Sequence, residues 1–184
     1  MDPLSLLEKY GKGNPEFLNL IVNHSQAVAK KALEIAKKFP QVNLDFVYKG
    51  AMLHDIGCFF TYFPKFNEQA TEPYIKHGVI GRDILEKEGY LDLALVCERH
   101  IGVGITKQEI IEKKLPLPPR DMVPQTLEEK IIAFADKFFS KVPERVDKEK
   151  SVEEIKKELR KYGEEKVRIF ETWYKEFLNK EESL

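Results

Sequence analysis

Apolar residues return every three or four positions through most of the chain, with charged residues filling the gaps. That spacing is the signature of amphipathic helices. The segment NPEFLNLIVNHSQAVAKKALEIAKKF starts at Asn14, a good N-cap, with Pro15 at the first helical position. Phe17, Leu20, Ile21, Val28, Ile35 and Phe39 form its apolar stripe. NLDFVYKGAMLHD predicts a second helix, capped by Asn43 and ended by Gly57. EPYIKHGVIGRDILEKEG and LDLALVCERH predict a third and a fourth. Three capping boxes follow, Thr106 with Glu109, Thr126 with Glu129 and Ser151 with Glu154. They open TKQEIIEKK, TLEEKIIAFADKFFSK and one long final helix. The stripe of that last helix is Val152, Ile155, Leu159, Tyr162, Ile169, Trp173 and Phe177. No segment alternates as a strand would. The expected fold is therefore all-α, a single domain over residues 1–184 built as a bundle of about seven or eight helices.

Two segments interrupt the pattern. CFFTYFPKFNEQAT is aromatic-rich, and LPLPPRDMVPQ carries four prolines, which predicts an extended surface loop. Strong helical pattern continues on both sides of each, so neither reads as a domain boundary. The charge runs near the C-terminus read as solvated helix faces.

Charge narrows the partners. The 184 residues carry 30 Lys and Arg against 31 Asp and Glu, a formal net charge of −1, which disfavours long duplex nucleic acid. No run approaches the ~18 apolar residues of a membrane span, and the N-terminus lacks a signal-peptide pattern. Cys58 and Cys97 form neither a CxxC motif nor a disulfide framework, which suits a reducing cytoplasm.

The chemistry lies in the histidines. There are four, His24, His54, His77 and His100, and helical spacing turns each toward the apolar side of its segment. Any one of them alone reads as a core histidine with one hydrogen bond. Four together, with Asp55 beside His54 and Asp136 inside the apolar run IIAFADKFF, read differently. Unpaired buried carboxylates are expensive, and a divalent cation held by neutral imidazoles and ionised carboxylates removes that cost.

The ordered set His24, His54-Asp55, His77, His100 and Asp136 resembles the HD superfamily of metal-dependent phosphohydrolases, whose pattern is H…HD…D. HDIG is a common form of its second motif. IKHGVIGRDIL, CERHIGVGIT and LEEKIIAFADKF look like segments of small bacterial HD hydrolases that cleave diadenosine tetraphosphate. The resemblance covers roughly residues 17–141, with the final helix, about residues 151–180, expected to pack on that core. It implies that His24, His54, Asp55 and Asp136 bind one metal ion. Asp55 would bridge to a second ion held by His77 and His100. The implied cofactors are two divalent first-row ions, Fe, Mn or similar, and the implied catalytic residues are Asp55 and His54. The implied activity is hydrolysis of a phosphate ester or anhydride, as in a nucleotide, by a metal-activated water. Many relatives follow HDIG with lysine where this chain has Cys58, a small residue expected at a helix exit.

Substrate contacts are less sharply marked. Arg99, beside His100, and Lys137, beside Asp136, are the candidate phosphate-binding cations, with Lys65, Arg82 and Arg120 behind them. Phe59, Phe60, Tyr62, Phe63 and Phe66 either stack a nucleobase or pin their loop to the core. Two other functions fit the same ligands: a di-iron oxygenase of the HD fold, and a non-catalytic, metal-stabilised nucleotide sensor.

Overall fold

A computed structural model describes residues 1–178. Among these residues nine α-helices account for the regular structure, joined by turns, three short 3-10 segments and isolated bridges in place of a sheet. They are α1 (Pro3–Gly11), α2 (Pro15–Ala36), α3 (Leu44–Leu53), α4 (His77–Lys87), α5 (Leu91–Arg99), α6 (Lys107–Glu112), α7 (Leu127–Asp136), α8 (Val152–Arg160) and α9 (Glu164–Leu178). The all-α expectation holds, with two helices more than the sequence pattern separates cleanly. One is α1, whose cap is Asp2: its carboxylate accepts from the amides of Leu4 and Ser5 ahead of Pro3. The other comes from the final segment, which breaks into α8 and α9 at Gly163, where φ is +136°. The break resets the helical phase. Tyr162 is left exposed, and Val167, Phe170, Trp173 and Phe177 become the buried face of α9.

The caps act as the sequence implies at most helix starts. Asn14 and Asn43 accept from the amides of Phe17 and Phe46, and full capping boxes form at Thr106 and Ser151. At Thr126 only half of the box forms. The Thr126 hydroxyl accepts from the Glu129 amide, but the Glu129 carboxylate bonds Gln125 N and Arg99 instead.

One hydrophobic cluster runs from Leu6 to Phe177. Helix α2 lies along α3 and α7, and α4 packs against α5. Behind α7, Phe134 stacks on Phe170 at 5.2 Å and meets Phe177 edge-on at 5.3 Å, so α9 backs the helix that ends in Asp136. The proline segment is more firmly held than a surface loop. Leu117 and Met122 bury against Ile110, and Met122 exchanges backbone hydrogen bonds with Ile105.

Close backbone approach sets the position of α4. A Cβ at Gly57 would lie 1.9 Å from the carbonyl oxygen of His77 and 2.6 Å from the amide nitrogen of Gly81. The turn after Asp55 therefore touches the first turn of α4 directly. Gly57→Ala should force these backbones apart, at a cost of about 1–3 kcal/mol or more. Thermal unfolding should show a clear drop in Tm for Gly57→Ala and little change for Gly13→Ala, where a Cβ meets nothing within 4 Å. A Gly57→Ala protein with unchanged Tm would contradict this packing.

Candidate metal centre

Helix ends position most of the site. His54 caps the C-terminus of α3, His100 caps that of α5, and His77 follows the 3-10 turn Tyr74–Lys76. Asp136 is the last residue of α7. The final turn of a helix has carbonyls with no amide partner. Here the imidazoles supply a donor, at Tyr74 O alongside the His77 amide. His54 Nδ1 lies 2.6 Å from Ala51 O, His77 Nδ1 lies 2.7 Å from Tyr74 O, and His100 Nδ1 lies 2.7 Å from Cys97 O. A carbonyl only accepts, so each Nδ1 carries a proton and each ring turns its Nε2 toward the centre. His24 differs: it sits mid-helix in α2, and its Nδ1 is buried without a hydrogen-bond partner.

The four rings converge on Asp55, and its two oxygens divide them. Oδ2 lies 3.2 Å from His24 Nε2 and 3.1 Å from His54 Nε2. Oδ1 lies 3.4 Å from His77 Nε2 and 3.5 Å from His100 Nε2. Asp136 Oδ1 completes the first group, 3.0 Å from His24 Nε2 and 3.3 Å from His54 Nε2. All six side chains are buried.

The donor set fits a metal on two observations. First, His77 Nε2 and His100 Nε2 face one another at 3.1 Å. Both rings have their proton on Nδ1, so two lone pairs meet there. Burial holds both rings neutral, pushing His77 down to about 3 and lowering His100 as well. A cation between the two rings would relieve that contact. Second, His54 Nε2 sits between two carboxylates with no aligned hydrogen bond. Burial opposes charge on His54, but Asp55 and Asp136 outweigh it and raise the ring to about 9. Asp55 and Asp136 are themselves held well below the ordinary carboxylate range: burial opposes this, and the neighbouring His54 and Lys141, for Asp136 chiefly Lys137, overcome it. Imidazole nitrogen with carboxylate oxygen suits first-row divalent ions.

The other predicted residues fall differently. Lys137 lines the cleft above the cluster, and its ammonium lies 2.9 Å from Asp136 Oδ2. Arg99 does not line it. Its guanidinium is tied to the buried Glu129 at 2.9 Å. Arg82 and Arg120 likewise converge on the buried Glu98, which fixes the proline segment to α5. Lys65 opens on a separate groove with Asn14 and Phe66. Phe59, Phe63 and Phe66 surround Phe17 with ring centres 4.9–5.5 Å away, and Phe60 meets Tyr10. These rings pin the loop, while Tyr62 and Phe63 also line the cleft. Cys58 is buried with Sγ 3.6 Å from Asp55 Oδ1, and burial together with Asp55 pushes its thiol well up.

Sequence reasoning missed Lys141 and Tyr74. Lys141 Nζ lies 2.7 Å from Asp55 Oδ2, and 5.8 Å from the centre of the Tyr74 ring. Tyr74 in turn stacks on His77 at 4.5 Å. Neither residue carries a motif; the turn after α7 and the 3-10 turn before α4 bring them in. The cleft they share with His77, His100, Asp136 and Lys137 has a volume of about 600 Å³.

Residues 21–141 match the model of the HD domain family. This chain belongs to the HD domain family. An uncharacterised protein of Methanocaldococcus jannaschii is 46% identical over 121 residues, covering 63% of this chain and 64% of that protein. The tRNA (cytidine(56)-2'-O)-methyltransferase of Thermoplasma volcanium is 37% identical over 161 residues, 87% of this chain but 40% of that enzyme. The chain thus spans less than two thirds of the length of these curated relatives. In fold, this HD domain is similar to the HD domain of the phosphodiesterase PgpH from L. monocytogenes. The TM-score is 0.56 at 21% identity, covering 95% of this chain and 97% of that one. A second structure of that domain holds cyclic-di-AMP, with a TM-score of 0.55. Among the described residues no helix is long and apolar enough to cross a membrane.

Metal should stabilise this HD domain, by about 2.7 kcal/mol at a hundredfold excess over the dissociation constant. Because the metal displaces the His54 proton below about pH 9, the gain in Tm should grow as the buffer is raised toward that value. Melting curves with Mn(II) and with chelator test this; equal Tm values across the range would contradict a buried metal centre.

Proposed function

We propose that this HD domain is a metal-dependent phosphohydrolase acting on a phosphate ester or anhydride of a nucleotide. The observation that supports it most is the division of Asp55, one oxygen toward His24 and His54 and the other toward His77 and His100. In this reading His24, His54, Asp55 and Asp136 hold one divalent ion, and Asp55, His77 and His100 hold a second. Such a pair supplies Lewis acidity toward phosphoryl oxygens and brings the pKa of water toward neutrality.

The chain's own residues set what reaches that centre. The backbone carbonyls behind His54, His77 and His100 hold each ring in the tautomer that leaves Nε2 free. Lys137, on the cleft side of Asp136, supplies positive charge beside the transferred group. Tyr62 and Tyr74 offer half-exposed rings at the mouth, suited to a nucleobase. The cyclic-di-AMP complex of the PgpH domain supports a nucleotide ligand, within a class that runs from dinucleoside polyphosphates to cyclic dinucleotides.

Mn(II)-loaded protein should release phosphate or mononucleotide from at least one member of a panel of mononucleotides, dinucleoside polyphosphates and cyclic dinucleotides. Asp55→Asn should lose more than the roughly 10–100-fold that removal of an outer contact costs. Near wild-type turnover by Asp55→Asn would overturn the ligand assignment. Dioxygen consumption without phosphate release would place the chain with the oxygenases of this fold instead.

A further inference from the structure

Lys141 has no part in the ligand set, yet its ammonium is the cation nearest the bridging carboxylate. Its side chain is 13% exposed, and Nζ lies 2.7 Å from Asp55 Oδ2, the oxygen that also faces His24 and His54. Four residues earlier, Lys137 stands in the same relation to Asp136, with Nζ 2.9 Å from Oδ2. Each buried carboxylate therefore has one lysine, and both lysines line the open cleft.

The charges explain the arrangement. Without metal, the Lys141 and Lys137 ammonium groups lie against the Asp55 and Asp136 carboxylates. A divalent ion on Asp55 would make the Lys141 ammonium a surplus positive charge beside another, and like charges repel. Lysine is suited to leave, since its ammonium is a compact charge on a flexible four-carbon stem. Its way out runs past the ring of Tyr74 into the cleft. Apart from Lys137, which pairs with Asp136, the other basic groups near the centre are tied to carboxylates outside it. Arg99 is held by Glu129, Arg82 and Arg120 are held by Glu98, and Lys150 is held by Glu158 at 2.7 Å.

We propose that Lys141 is an exchangeable counter-cation, bound to Asp55 before metal loading and turned to an anionic oxygen of the ligand once metal has taken Asp55. The ligand chemistry rests on the phosphohydrolase reading; the exchange itself rests on the geometry. The same side chain thus opposes metal binding and favours phosphoryl binding, a pair of effects that a merely structural lysine does not produce.

Two binding measurements test it, both without turnover. Mn(II) affinity is read by competition with a fluorescent chelator, and orthophosphate binding to Mn(II)-loaded protein by calorimetry. Lys141→Met should bind Mn(II) several-fold more tightly and orthophosphate about tenfold more weakly, the loss expected for one charge-assisted hydrogen bond. Lys141→Arg should recover orthophosphate binding. Unchanged orthophosphate binding in Lys141→Met, or weaker Mn(II) binding, overturns the proposal. If circular dichroism shows that Lys141→Met does not fold, Lys141→Gln carries the same test. A wild-type protein that behaves as expected here but hydrolyses nothing in the panel refutes the hydrolase reading and leaves the exchange standing.

Discussion

Two carboxylates buried at the centre of an apolar bundle demand positive charge within bonding distance, and the rest of this structure is arranged around that demand. Asp55 and Asp136 lie within 3.0–3.5 Å of four imidazole nitrogens, and each has one lysine ammonium besides. An isolated buried carboxylate would cost several kcal/mol and would protonate instead. These two stay ionised because cations surround them. Imidazole lone pairs, however, are poor partners for anions. A metal ion would satisfy the carboxylates and the imidazole lone pairs at once.

Helix ends make such a cluster possible. His54, His77 and His100 each occupy the position after a helical segment, where a backbone carbonyl accepts a hydrogen bond from Nδ1. The same turn that presents a backbone carbonyl to the ring thus holds the Nδ1 proton and aims Nε2. Gly57 then lets the turn after Asp55 touch the start of α4, so ligands from separate helices meet. Helix α9 backs this assembly from behind α7 through Phe134 and Phe170.

Much of this is legible in the chain itself, for reasons that differ by residue. Helical periodicity turns His24, His54, His77 and His100 inward correctly, because burial on a helix follows spacing. Asp136 is recognisable as an anomaly in an apolar run. What escapes is whatever depends on tertiary direction. Lys141 looks like any lysine in a polar stretch, and only the turn after α7 carries it to Asp55. Arg99 looks poised by its place beside His100, yet the neighbour that decides its fate is Glu129, which the capping pattern with Thr126 assigns elsewhere. Gly163 reads as a tolerated helix glycine until its positive φ splits α8 from α9.

Metal stoichiometry tests most directly the proposed role of Asp55 between two metal positions. Elemental analysis of protein purified under metal-replete, anaerobic conditions should find close to two ions per chain in the wild type. His77→Ala and His100→Ala should each fall toward one, with the first position spared. A wild-type value of one that neither substitution changes would contradict the account and leave only the group formed by His24, His54, Asp55 and Asp136.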